Sequence, residues 1–230
     1  MIKTILFDLD DTLLDFKKAE HIAIASTLSR MGIRPDEDVT ERYREINEAQ
    51  WKLLEKNELT RDEVKTRRFR LLFDELAFGA DENAAALTYE RLLSTQAYYI
   101  DGAEELLKRL CNKYELYLVS NGTAVVQEGR LKISGMKKYF KETFVSETIG
   151  FNKPSIEYFN ECFRHIPGLE KDKTVIVGDS FTSDILGGIN AGIHTVLFDP
   201  SGKKEHPSIV PEARITSLYM LEDVLKEKWA

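Results

Sequence analysis

Short apolar runs, each followed at once by small or acidic residues, constrain this chain most. They are Thr4-Ile5-Leu6-Phe7, Glu115-Leu116-Tyr117-Leu118-Val119, Thr174-Val175-Ile176-Val177 and His194-Thr195-Val196-Leu197-Phe198. A run without polar alternation is the pattern of a strand covered on both faces, as in a parallel sheet. Thr143-Phe144-Val145-Ser146 reads as a further short strand. Helical segments separate these runs, over 103–113, up to about Ser134, and from Pro154, where a proline costs no hydrogen bond at a helix start. Strand and helix in alternation predict an α/β fold, a doubly wound, Rossmann-like parallel sheet with helices on both faces. Ligands of such sheets bind beyond the carboxyl ends of the strands.

One stretch breaks the alternation. From Phe16 to about Gln96 every segment reads as helix. Lys18–Met31 ends at Gly32, and Asp36–Lys56 carries Val39, Tyr43, Ile46, Trp51 and Leu54 at apolar positions. Thr60-Arg61-Asp62-Glu63 has the spacing of a capping box, and a fourth helix starts at Asp81 with Leu87, Leu92 and Leu93 inside it. The expected organisation is an α/β core from residues 1–15 and 97–230, with residues 16–96 inserted as a helical bundle.

Composition narrows the partners. A formal net charge of −7 over 230 residues disfavours a nucleic-acid polymer or an anionic membrane as partner. It leaves a phosphate site open, because a metal and a few amides can invert the local sign. The two cysteines, Cys111 and Cys162, fall in helical segments and read as buried free thiols, which suits a reducing compartment. No run approaches membrane-spanning length, and the N-terminus enters a strand rather than a secretory signal, so a cytoplasmic location is expected.

The strand ends carry the chemistry. The first delivers Asp8 and Asp10, two carboxylates that strand alternation puts on one side; the second delivers Ser120 and Asn121, and the third Asp179. Lys153 lies in a loop before a helix. Like charges this close need a shared cation or a retained proton. Asp8 and Asp179 are hard oxygen ligands of the kind Mg2+ prefers, with Asp184 outside them. Asp8 can attack phosphorus, and Asp10 can protonate a leaving alkoxide and later deprotonate water. Ser120, the amides around Asn121-Gly122 and the Lys153 ammonium can face phosphate oxygens. Taken singly, the pieces have plainer readings. Asp-x-Asp is an acidic turn, Ser120-Asn121-Gly122 a turn, Lys153-Pro154 a helix entry, and Gly187-Gly188 with Gly192 close packing and a helix end. Their order along the chain is what joins them.

In that order they resemble the four motifs of the haloacid dehalogenase-like (HAD) hydrolases: Asp8-Leu9-Asp10-Asp11-Thr12, Ser120-Asn121-Gly122, Lys153-Pro154, and Gly178-Asp179 with Asp184. The resemblance spans the chain. It implies a Mg2+-dependent phosphatase with Asp8 as nucleophile, Asp10 as acid and base, and Ser120 and Lys153 on the phosphate. The metal would be held by Asp8, Asp179 and the main-chain carbonyl of Asp10, and the helical insert would be a mobile cap that selects the substrate. The acid at Asp10 resembles phosphate rather than carbon–halide chemistry, and phosphomutases share it. Gln127 and Arg130-Leu131, with Ser183-Asp184-Ile185-Leu186-Gly187-Gly188-Ile189-Asn190-Ala191-Gly192, are similar to the pyrimidine 5′-nucleotidase branch. That branch implies a nucleoside monophosphate as the small phosphorylated substrate, with Asn47, Trp51 and Arg67 as its contacts in the insert. Trp51 or Phe69 could stack on a base, or both could be packing of the bundle. A sugar-phosphate or phosphoglycolate-type phosphatase, and a catalytically idle binder of a phosphorylated ligand, are the other readings.

Overall fold

The strand predicted at the N-terminus, β1 (Thr4–Phe7), has no exposed residue, and a strand flanks it on each side. In this computed structural model, which describes residues 1–229, the other strands are β2 (Glu115–Ser120), β3 (Glu142–Val145), β4 (Thr174–Gly178), β5 (His194–Phe198) and β6 (Ala213–Ile215). They form one parallel sheet in the order β3-β2-β1-β4-β5-β6. Phe7 lies level with Leu118 on one side and Val177 on the other, and β2 runs two residues further, to Ser120, and β4 one, to Gly178. Successive strands add outward from β1 in opposite directions, which makes the β1–β4 junction the topological switch point. Strand β6 is new: Ala213-Arg214-Ile215 is too short to stand out from the polar tail around it.

The helices in chain order are α1 (Phe16–Arg30), α2 (Glu37–Glu55), α3 (Arg61–Glu75), α4 (Glu82–Leu93), α5 (Ala103–Leu110), α6 (Ala124–Ser134), α7 (Ser146–Ile149), α8 (Ile156–Arg164), α9 (Leu186–Ala191) and α10 (Leu221–Trp229). The chain divides into two units. One comprises Met1–Asp15, Tyr99–Ala124 and the chain from Ser134 onward; the other comprises Phe16–Tyr98 and Val125–Ile133, so most of α6 groups with α1–α4. No described helix is long and apolar enough to cross a membrane.

In the α/β unit Leu6, Tyr117, Val119 and Ile176 present one face of the sheet to Tyr158, Phe159 and Cys162 of α8 and Ala191 of α9. Helix α9 meets the sheet through its glycines. A Cβ on Gly188 would sit 2.6 Å from Ile176 Cγ2 and from Thr195 Cγ2, and one on Gly187 would sit 2.6 Å from the Phe159 ring. The Gly187-Gly188 pair is therefore close packing, and Gly192, at φ +71°, is the left-handed residue that ends the helix. Cys162 is buried, but Cys111 caps the end of α5 and is partly exposed, because the helix stops there instead of running to Lys113.

The helical unit has its own core. Tyr43, Phe69 and Tyr89 lie with ring centroids 5.2, 5.4 and 5.7 Å apart. Phe69 is thus bundle packing, fully buried, whereas Trp51 is half-buried. A polar thread crosses this core: Asn47 donates to Glu20 Oε1 (2.6 Å) and accepts from Arg68 Nη1 (2.9 Å), joining α1, α2 and α3. The Thr60–Glu63 capping box opens α3, and Asp36 and Asp81 cap α2 and α4. Leu87, expected inside α4, points to solvent at 68% exposure, on the face opposite Ala85, Ala86 and Tyr89.

Gly188→Ala should overpack the α9–sheet contact and cost about 1–3 kcal/mol, read as a lower urea midpoint at unchanged slope. A midpoint equal to that of the parent chain would show that Ile176 and Thr195 yield freely.

Candidate active site

The backbone folds sharply as soon as β1 ends. Asp8 N–H still donates to Val177 O (2.9 Å), continuing the ladder with β4. Leu13 and Leu14 N–H then both return to Leu9 O (3.0 and 2.9 Å), and Asp11 N–H donates to Leu14 O (2.8 Å). Asp11 takes φ +56°, a left-handed conformation that aspartate tolerates better than most residues. This turn leaves Asp8 buried at 7% exposure and Asp10 half-buried, close enough for its charge to act on Asp8.

Lys153 comes from a loop 145 residues away, yet its ammonium lies at the centre of the site. It donates to Asp8 Oδ1 (2.6 Å), Asp184 Oδ1 (2.7 Å) and Val119 O (3.1 Å), and its side chain is 1% exposed. Asn121 fixes the main chain behind it: Nδ2 donates to Lys153 O (2.9 Å), and Oδ1 accepts from Lys153 N–H (2.8 Å). The Asn121 side chain thus holds the main chain of the lysine in place. Ser120, at 1% exposure, accepts from Gly122 N–H (3.1 Å) and pins that turn. Glu147 accepts from Ala124 N–H (2.7 Å) and so occupies the start of α6, a contact with no signal in the sequence.

Beyond β4 the sequence suggests an ordinary helix near Thr182. Instead, Phe181–Ile185 form a π-helical turn, in which Ile185 N–H reaches back to Ser180 O (3.1 Å). Ser180 Oγ accepts from Ser183 N–H (3.2 Å), while Ser180 N–H donates to Asp184 Oδ2 (3.1 Å). The wider turn directs Asp184 over Gly178, where a Cβ would collide with its carboxylate. Both Asp184 oxygens are therefore engaged, one by Lys153 and one by an amide. Asp179 Oδ2 and its carbonyl oxygen each accept from Lys204 Nζ at 2.8 Å. Lys204 lies in a tail where the sequence offers nothing to connect with function.

One oxygen each from Asp8, Asp179 and Asp184 can be chosen within 4.8 Å of one another, the only such trio found among the described residues. The Asp10 side chain is outside it. Burial comes first in the electrostatics of the site, and repulsion among the acids adds to it. Burial lifts the Asp8 carboxyl well above the usual carboxylate range against the pull of Lys153, and Asp184, Asp10 and Asp179 push it the same way. Burial also raises Asp179 to about 6, with Lys204 opposing and Asp184 adding to the rise. For Lys153 burial works the other way, but Asp184 and Asp8 outweigh it and hold the ammonium above its ordinary range. Converging buried carboxylates with one buried lysine fit a hard divalent cation, which would relieve their mutual repulsion.

The residues singled out in the insert lie within the helical unit. Asn47 is 3% exposed and bonded to Glu20 and Arg68, as described above. Trp51 and Arg67 are half-buried, and Arg67 Nε is buried without a hydrogen-bond partner. Gln127 and Arg130 also fall in this unit: Arg130 donates to Gln127 Oε1 (3.1 Å) and Gln96 O (3.1 Å) and lies over the Phe16 ring.

Residues 5–198 match the model of the haloacid dehalogenase-like hydrolase family. The HAD-hydrolase YfnB of Bacillus subtilis is 40% identical over 223 residues, 97% of this chain and 95% of YfnB. Its crystal structure, bound to magnesium and described as revealing interdomain movement, superposes with a TM-score of 0.93 over 97% of this chain and 98% of that one. The pyrimidine 5′-nucleotidase PynA of Streptococcus pneumoniae is 36% identical, covering 97% of this chain and 94% of PynA. The pyrimidine 5′-nucleotidase YjjG of Escherichia coli is 27% identical, covering 96% of each. With the four motifs converging beyond the β1–β4 junction and the family model matching most of the chain, this protein belongs to the haloacid dehalogenase-like hydrolases.

Proposed function

We propose that this hydrolase is a Mg2+-dependent phosphomonoesterase that works through an aspartyl phosphate on Asp8 and acts on pyrimidine nucleoside monophosphates. The observation that carries the chemistry is the buried ammonium of Lys153 against Asp8 Oδ1, 2.6 Å away, with Asp10 two residues on. An Asp8 oxygen attacks phosphorus, the bond from phosphorus to the substrate's alkoxide oxygen breaks, and Asp10 gives that oxygen its proton. Asp10 then takes a proton from a water that attacks the phosphorus of the aspartyl phosphate. The bond to Asp8 breaks, and inorganic phosphate leaves. Lys153 offsets charge on the nucleophile and on the phosphoryl oxygens, and the Ser120 hydroxyl, in a turn pinned by the Gly122 N–H, receives those oxygens. Asp8, Asp179 and the Asp10 carbonyl would hold Mg2+, with Asp184 behind them, and its contribution when bound is to neutralise phosphoryl charge.

The substrate class rests on the relatives named pyrimidine 5′-nucleotidases, which match this chain almost end to end. In this reading the helical unit discriminates between substrates. Trp51 and Arg67 retain surface for a flat base, and Asn47 holds the Glu20–Arg68 thread in place.

Asp8→Asn should lower kcat about 10³-fold or more at saturating Mg2+. Turnover retained by that variant would remove Asp8 as nucleophile. Asp10→Ala should lower kcat/KM, which reports only the step that forms the aspartyl phosphate, about 10²- to 10⁴-fold for a nucleotide and much less for p-nitrophenyl phosphate, because a good leaving group needs little protonation. Equal effects on both substrates would remove Asp10 as the acid. Across dUMP, dTMP, UMP, purine nucleotides and sugar phosphates, with EDTA controls, kcat/KM should be highest for the pyrimidines. Uniform values would overturn the substrate class and leave the chemistry standing.

A further inference from the structure

Lys204 is a second lysine at the acidic trio, and it is held unlike the first. Its main chain is anchored at the end of β5 by Asp199, which is completely buried. Asp199 Oδ1 accepts from Ser201 N–H (3.2 Å) and Ser201 Oγ (2.6 Å), and Oδ2 accepts from Lys204 N–H (2.9 Å). Arg214 Nη1 lies 3.5 Å from the same Oδ2. The loop is thus wound on one carboxylate, and Lys204 leaves it with a defined start. Its ammonium grips Asp179 at two points, the carbonyl and Oδ2.

The two lysines share the carboxylates between them. Lys153 serves Asp8 and Asp184, and Lys204 serves Asp179. They differ in freedom: the Lys153 side chain is 1% exposed and the Lys204 side chain 35%. A cation arriving at Asp179 meets one lysine that is locked in the protein and one that can retreat into water. An ammonium and a divalent ion draw on the same carboxylate charge and repel each other across it. Whatever holds the metal-free form and must yield on binding is subtracted from the affinity.

We propose that Lys204 is a built-in competitor for the divalent cation: it neutralises Asp179 in the metal-free protein, yields when Mg2+ binds, and thereby weakens Mg2+ affinity. This inference rests on the metal role proposed for Asp179. A lysine that merely supported the loop would stabilise metal-free and metal-loaded protein alike. A competitor stabilises the metal-free form alone.

The test is calorimetric titration of the full chain with Mg2+, together with melting temperatures with and without saturating Mg2+. Lys204→Met, which keeps the length and removes the charge, should lower the Mg2+ Kd about three- to tenfold. It should lower the melting temperature without metal and leave it near the parent value at saturation. Lys204→Arg should titrate like the parent chain. An unchanged or raised Kd in Lys204→Met, or equal melting losses with and without Mg2+, would overturn the inference while the metal site stands. A parent chain that binds no Mg2+, or Asp179→Asn binding as tightly as the parent, would overturn both.

Discussion

The site is built around one buried ammonium. Lys153 is sealed from solvent and gathers Asp8 from the end of β1, Val119 from β2 and Asp184 from the turn after β4. An ammonium in such a place costs several kcal/mol in lost hydration unless its partners surround it, and the loss of any one partner is felt by the others. The strand ends must therefore lie close together, which the register of β1 with β2 and β4 provides. The lysine's main chain is clamped by Asn121, so a residue that reads as part of a phosphate cradle also fixes where the positive charge stands.

Turn geometry then distributes the carboxylates. The left-handed Asp11 ends the first loop within four residues, and the π-helical turn after β4 swings Asp184 over the bare face of Gly178. Gly178 is needed there for space and not for backbone freedom. Asp8 and Asp184 share the locked lysine while Asp179 takes Lys204, and burial, reinforced by the neighbouring acids, raises the Asp8 and Asp179 carboxyls. A hard divalent cation and a transferring phosphoryl group both suit such a place.

The helical unit follows a different logic. Its aromatic core of Tyr43, Phe69 and Tyr89 is what its amphipathic helices require, but a thread of Glu20, Asn47 and Arg68 runs through it. Helical periodicity marks Asn47 as neither inward nor functional, because a polar residue on a core-facing stripe looks the same whether its partner is a ligand or another helix. The same ambiguity hides the unit to which α6 belongs. Val126 packs into the core of the helical unit, and a local pattern carries no record of which neighbour an apolar residue will meet.

The parallel α/β architecture and the order of the chemical groups along it were legible in the residues themselves. Buried runs, helix caps and turn residues express preferences acting within a few positions; Asp8, Asp10, Ser120 and Asp179 stand where those runs end, and Lys153 stands in the loop before a helix. Partnership was decided only by the tertiary structure. Lys153 meets Asp8 across 145 residues and Asp184 across 31, and Lys204 meets Asp179 across 25. At such separations no local periodicity or spacing couples two positions. What brings them together is strand register, the absence of a Cβ at Gly178 and the need of buried charges for partners, and all three arise only once the chain has folded.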